Sequence, residues 1–148
     1  MVLILTLMGC ATKNAVVKSP ERMAVSLAAA RNNLDDRQVL PVPDPLLVRI
    51  VDQLTQRNLT PQVVPVADLS DQRLTSPRLS VLSEQGAPLV LLVETEAEYT
   101  AQMEGRLRWS VQVSLSLDPA DGEPTTSEFS VPVFLQFQHQ DADDALEG

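Results

Sequence analysis

Apolar and polar residues alternate with two different periods along the chain, and the change of period separates strands from helices. Alternation at Met23, Val25 and Leu27 predicts a first strand with one buried face, although the alanines that follow would also suit a helix. After Asp44, suited to an N-cap, and Pro45, suited to the first helical turn, apolar residues recur at helical spacing. These residues, which predict the first helix, are Leu46, Leu47, Ile50, Val51 and Leu54.

The middle of the chain predicts a second strand and a second helix. A short apolar stretch at residues 62–66 predicts a strand that lies at an edge or ends near its proline. Ser76-Pro77 resembles another helix start, and the helix should run from about Pro77 to Gln85, with Gly86 just beyond its end. The unbroken apolar run at residues 89–93 is typical of a strand buried on both faces.

Strict alternation from residue 93 to residue 117 predicts a long hairpin. Odd positions are mostly apolar and even positions polar in both halves, so the faces match only if odd residues pair with odd residues. A three-residue loop, Met103 to Gly105, satisfies this by pairing Gln102 with Arg106. The same register places Tyr99 opposite Trp109.

A last strand is predicted by alternation from Phe129 to Phe137, and Pro132 indicates that it is an edge strand or bulged. The predicted order is β-α-β-α-β-β-β. It favours a two-layer α+β domain over residues 21–140, with a mixed sheet and helices packed on one face. The acidic residues 141–148 form either a tail or the start of a closing helix.

The beginning of the chain resembles a bacterial lipoprotein signal. The run Leu7-Met8-Gly9-Cys10 matches the lipobox, whose cysteine is acylated, and Cys10 is the only cysteine of the sequence. The resemblance implies that residues 1–9 are a signal peptide, truncated because no Lys or Arg precedes the cysteine, and that residues 10–20 are a lipidated flexible tether. The alternative is a buried strand with a free core thiol.

Location and partners follow from the same resemblance and from charge. Alanine at position 11 implies sorting to the outer membrane, on its periplasmic face. With 20 acidic and 11 basic residues and a net charge of −9, a nucleic-acid partner is disfavoured. The expected partners are the membrane, through lipid on Cys10, and an envelope protein complex, with a homo-oligomer also open.

The sequence offers one polar constellation. Glu94, Glu96 and Glu98 share one face of a predicted strand, and Arg106 and Arg108 lie on the next strand. This row suits an interaction face for a basic partner, a solvated surface, or, less readily, a paired-carboxylate or metal-dependent hydrolase. His139, the single histidine, is expected to be an exposed polar residue rather than a catalytic base. We therefore predict no catalytic residues, no cofactor and no metal.

The passage from Leu82 to Val93, in which a helix ends at Gly86-Ala87 before a buried strand, resembles the TolB amino-terminal domain group. That group includes the curli-secretion lipoprotein, lipoprotein activators of penicillin-binding proteins and YajG-like lipoproteins. The resemblance implies a non-enzymatic accessory or assembly factor of a secretion, transport, motility or cell-wall synthesis complex. The alternative function is a carrier of a lipid or another apolar ligand.

Overall fold

The computed structural model describes residues 21–32, 39–69 and 75–148. The expectations for the signal peptide, for Cys10 and for the tether fall on residues 1–20 and so lie outside the described residues. In the part of the chain that is described, no helix is long and apolar enough to cross a membrane.

The described residues form one mixed sheet with helices on both sides. The strands are β1 (Met23–Asn32), β2 (Val39–Pro41), β3 (Leu59–Val63), β4 (Leu89–Met103), β5 (Arg106–Pro119) and β6 (Thr125–Leu135). The helices are α1 (Asp44–Gln56), α2 (Thr75–Ser83) and α3 (Ala142–Glu147), and a 3-10 turn spans Val66–Asp68. The predicted α+β class with a mixed sheet is therefore confirmed.

Strand β1 pairs with three other strands. One of its edges pairs with the parallel strand β4, and the other edge pairs with parallel β3 at its start and antiparallel β2 at its end. Beyond β4 the strands β5 and β6 continue as an antiparallel meander. In the described part of the chain, β6 therefore forms one edge of the sheet, as Pro132 predicted.

The sequence analysis expected all helices to pack on one face of the sheet. The structure instead places helices on both faces. Residues of α1 pack against Leu27 and Ala29 of β1, whereas residues of α2 pack against Ala28. Because successive side chains of a strand point to opposite faces, α1 and α2 lie on opposite sides of the sheet. Right-handed crossovers explain this placement, since the chain moves from β1 to β3 in one direction and from β3 to β4 in the other.

The structure adds one element that was not predicted and decides between two alternatives for another. The short strand β2 lies in a segment for which no strand was predicted, and it pairs with the last residues of β1. The acidic end of the chain is the closing helix α3 rather than a tail. Asp44, expected as an N-cap, is instead the first residue of α1, and no side chain caps that helix.

The β4–β5 hairpin has a shorter loop than predicted. Met103 pairs with Arg106, so the loop is the two residues Glu104 and Gly105, both with positive φ, at 51° and 80°. The predicted three-residue loop and its Gln102–Arg106 pair are therefore wrong. A bulge at Thr100 restores the matching of faces instead, and Tyr99 lies opposite Trp109 as predicted.

Candidate functional site

The predicted row of glutamates is divided by the structure into three different environments. Glu94 is buried at 5% exposure, Glu96 is half-buried and Glu98 is exposed. All three lie on β4, on the face that carries α2 at its start. Burial decreases along the row because α2 covers only the first part of the strand.

Glu94 is held by a polar cluster that the sequence analysis missed. Arg78 of α2 is completely buried and forms an ion pair with the carboxylate of Glu94. Thr75 donates a hydrogen bond of 2.8 Å to the same carboxylate, and Arg78 also donates one of 3.0 Å to the Asn32 side chain. The cluster joins the start of α2 to β4 and to the end of β1. Arg78 follows Pro77 on a helix with little amphipathic pattern, so its sequence position gives no signal of burial.

A polar groove lies beside this cluster. It is an open depression of about 460 Å³ lined mainly by polar side chains of β4, β5 and β6, among them Glu96, Gln112 and Glu128. Among the described residues, no three His, Cys, Asp or Glu side chains converge as they would around a metal ion. Glu94, the buried member of the row, is already in an ion pair with Arg78. Glu96 and Glu128 are therefore the acidic residues of the groove that could bind a basic partner.

The two arginines of the predicted interaction face lie at the far end of the hairpin. Arg106 and Arg108 are exposed, and Arg108 pairs with Phe134 of β6 in the sheet register. In the described part of the chain, neither arginine forms an ion pair with the glutamate row. The structure therefore does not join the five predicted residues into one site. His139 is exposed and stacks on Phe137, with ring centroids 5.6 Å apart.

The edge strand β6 is the most exposed strand of the sheet. Every residue from Thr125 to Pro132 is exposed, including Phe129 at 49% and Val131 at 43%. In the described residues β6 pairs only with β5, so one row of its backbone groups has no strand partner there. Such an edge is a template on which an extended segment of another chain can add as a strand.

A second, apolar groove lies on the other face of the sheet, between α1 and the strands β4 to β6. Its volume is about 430 Å³. Its apolar lining consists of Leu46, Ile50, Leu54, Leu91, Val93, Val111, Val113, Leu115, Phe129 and Leu146. Leu117 and Val131 extend this apolar surface and are also exposed. The lining residues of this groove were not predicted from the sequence, because the same alternation predicts a covered core face.

Comparisons with known proteins assign no family to the chain. No protein-family model matches it, and no curated protein matches it. Solved structures do resemble it in outline, each at 12% sequence identity.

Lipoprotein GNA1162 from Neisseria meningitidis matches with a TM-score of 0.49, covering 84% of this chain and 90% of that one. A PelC variant dodecamer from Paraburkholderia phytofirmans matches with 0.45, covering 84% and 80%. The LpoB C-terminal domain from Salmonella enterica matches with 0.37, covering 75% and 83%. These values assign no function to this chain, and its resemblance to the TolB amino-terminal group stays a prediction.

Proposed function

We propose that the protein is a bacterial lipoprotein, held at the periplasmic face of the outer membrane by lipid on Cys10, and that its domain is a non-enzymatic docking part of an envelope complex. The lipobox at residues 7–10 supports the anchor. The exposed edge of β6 supports the docking role, and it is the observation on which that role depends. Docking occurs by addition of a partner strand to this edge.

The backbone of β6 indicates which groups a partner would use. Proline has no N–H and cannot donate a hydrogen bond to a neighbouring strand. Pro132 and Ser110 are therefore a non-hydrogen-bonded pair, in which the backbone groups of the β6 residue point away from β5. The direction of the backbone N–H and C=O groups alternates from one residue to the next along a strand. The N–H groups of Glu128 and Ser130 therefore also point to the free edge. Glu128 and Glu96 line the adjoining polar groove, which favours a partner strand flanked by Lys or Arg side chains.

The docking role is tested by capture of partners from membranes with the intact lipoprotein, followed by mass spectrometry. Glu128→Pro removes one free-edge N–H without removing a ladder bond to β5, whereas Glu128→Ala removes only the side chain. We expect the wild type and Glu128→Ala to recover the same envelope protein and Glu128→Pro to recover several-fold less. Equal recovery by Glu128→Pro, or recovery of no envelope protein by the wild type, would contradict strand addition.

The anchor is tested separately in a bacterial host. Radiolabelled palmitate should be incorporated into the wild-type chain and not into Cys10→Ala, and only the wild type should fractionate with outer membranes. Incorporation into both forms, or into neither, would contradict the lipobox assignment. This experiment does not depend on β6, so the anchor and the docking surface can fail independently.

A further inference from the structure

Apart from Thr95 of β4, the polar residues that line the apolar groove form one row along α1 and its C-terminal end. Arg49, Gln53 and Arg57 are spaced four residues apart, so they follow one another on the same side of the helix. No described residue that lines the groove is acidic, in a chain with 20 acidic and 11 basic residues. The groove thus combines an apolar floor with a locally cationic rim on a protein of net charge −9.

The size of the groove limits what can occupy it. A helix is about 10–12 Å wide with a pitch of about 5.4 Å, so a groove of about 430 Å³ accommodates roughly one turn. A second copy of the chain would bring another nine negative charges to the contact, which long-range repulsion disfavours. A narrow, flexible apolar chain fits this volume and brings no large negative charge to the contact. Pockets of this size suit small ligands.

Arg49 and Arg57 differ in how freely their guanidinium groups could bind an anionic ligand. Arg49 donates a hydrogen bond of 3.2 Å to the backbone carbonyl of Glu147 at the end of α3. Arg57 is exposed at the end of α1, and among the described residues it forms no ion pair. At the other end of α1, Leu46 and Leu146 pack in one cluster and close the groove. An anionic head is therefore best placed at Arg57, with its tail directed toward Leu146.

We propose that this groove binds a long-chain fatty acid, with the carboxylate at the guanidinium of Arg57 and the acyl chain between α1 and the apolar face of β4, β5 and β6. A planar guanidinium matches a carboxylate with two parallel hydrogen bonds. Burial of the acyl chain also covers apolar surface that the described residues leave exposed. This role is independent of docking, which uses the edge of β6 rather than the sheet face.

The binding is tested on the full chain carrying Cys10→Ser, so that its own anchor supplies no acyl group. The probe is cis-parinaric acid, a fluorescent fatty acid, and palmitate is the competitor. We expect saturable probe fluorescence that palmitate reverses. Gln53→Trp places a ring over the groove and should weaken binding at least tenfold, about the loss expected from blocking the buried tail. Gln56→Trp, on the same helix but outside the lining, is the matched control.

The position of the head group is tested by reversing one charge. Arg57→Glu should weaken palmitate about fivefold, the scale of an exposed ion pair, and should leave binding of the uncharged long-chain alcohol unchanged. Arg106→Glu, with the same change of charge at the hairpin loop, should bind palmitate like the wild type. The proposal is overturned by non-saturable binding, by equal affinity in Gln53→Trp and Gln56→Trp, or by equal effects of the two arginine variants.

Discussion

Arg78 of α2 and Glu94 of β4 form an ion pair removed from water, with side chains 0% and 5% exposed. Thr75 and Asn32 add hydrogen bonds to the pair, so the cluster joins α2, β4 and the end of β1. Apart from this cluster, α2 is attached to the sheet mainly by Leu79 and Leu82. The pair therefore determines how the start of α2 meets the sheet.

Removal of one partner should destabilise the protein strongly, because the other charge stays buried alone. We expect Arg78→Met and Glu94→Leu each to lower the free energy of unfolding by about 3–5 kcal/mol. The double variant should lose clearly less than the sum of the two, since it leaves no isolated charge. Urea unfolding measures all three, and Glu98→Gln, at an exposed position, should change stability by less than about 0.5 kcal/mol. Additive losses in the double variant would contradict the coupling.

The hairpin loop contains a non-glycine residue in the left-handed region, and this conformation lowers the stability of the folded protein. Glu104 has φ of 51°, and both loop residues of this turn type favour Asn or Gly. Glu104→Asn should therefore raise the free energy of unfolding by about 0.5–1 kcal/mol. Gly105→Ala, at φ 80°, should lower it by about 1 kcal/mol, although no atom blocks the added methyl group. Thermal unfolding of both variants shows whether each change raises or lowers the stability. A lower melting temperature for Glu104→Asn would contradict this turn geometry.

The sequence predicted the elements that rest on local periodicity. The apolar spacing of α1, the position of Gly86 beyond the end of α2 and the fully apolar start of β4 all appear in the structure. Local chemistry suffices in these cases, because helical spacing and positive φ leave a signature in neighbouring residues.

Features set by tertiary context were missed. The alternation of residues 93–117 requires odd residues to face odd residues over most of the hairpin, and both a three-residue loop and a two-residue loop with a bulge provide this. The observed bulge leaves only the three pairs next to the loop unmatched. The burial of Arg78 depends on Glu94, which is 16 residues away, and no local pattern reports such a partner. The side of the sheet on which α2 lies follows from strand order, which the sequence did not provide.

Tyr99 and Trp109 form an edge-to-face contact across the hairpin, with centroids 5.8 Å apart and planes at 68°. Tyr99→Ala should lower the free energy of unfolding by about 1 kcal/mol and shift the Trp109 emission to the red, because the indole gains contact with water. Tyr99→Phe keeps the ring and should do neither. Trp109 is the only tryptophan, so the emission reports the surroundings of this one indole. An unshifted spectrum in Tyr99→Ala would place the indole elsewhere.

The closing helix α3 is short, so its stability depends on its cap. The Asp141 carboxylate accepts hydrogen bonds of 2.9 and 3.4 Å from the N–H groups of Asp143 and Asp144, and Asp144 accepts one of 2.9 Å from the Asp141 N–H. Through this cap, Ala145 and Leu146 are held against the end of the apolar groove.

Asp141→Ala should lower the free energy of unfolding by about 1 kcal/mol, whereas Asp141→Asn, an equally good cap, should change it little. The loss should be local, because α3 has only 6 residues and packs through just two buried side chains. Hydrogen exchange should therefore accelerate in α3 of Asp141→Ala, while the β1 and β4 amides keep their protection. Equal exchange in Asp141→Ala and Asp141→Asn would mean that packing of Leu146, rather than the cap, holds the helix in place.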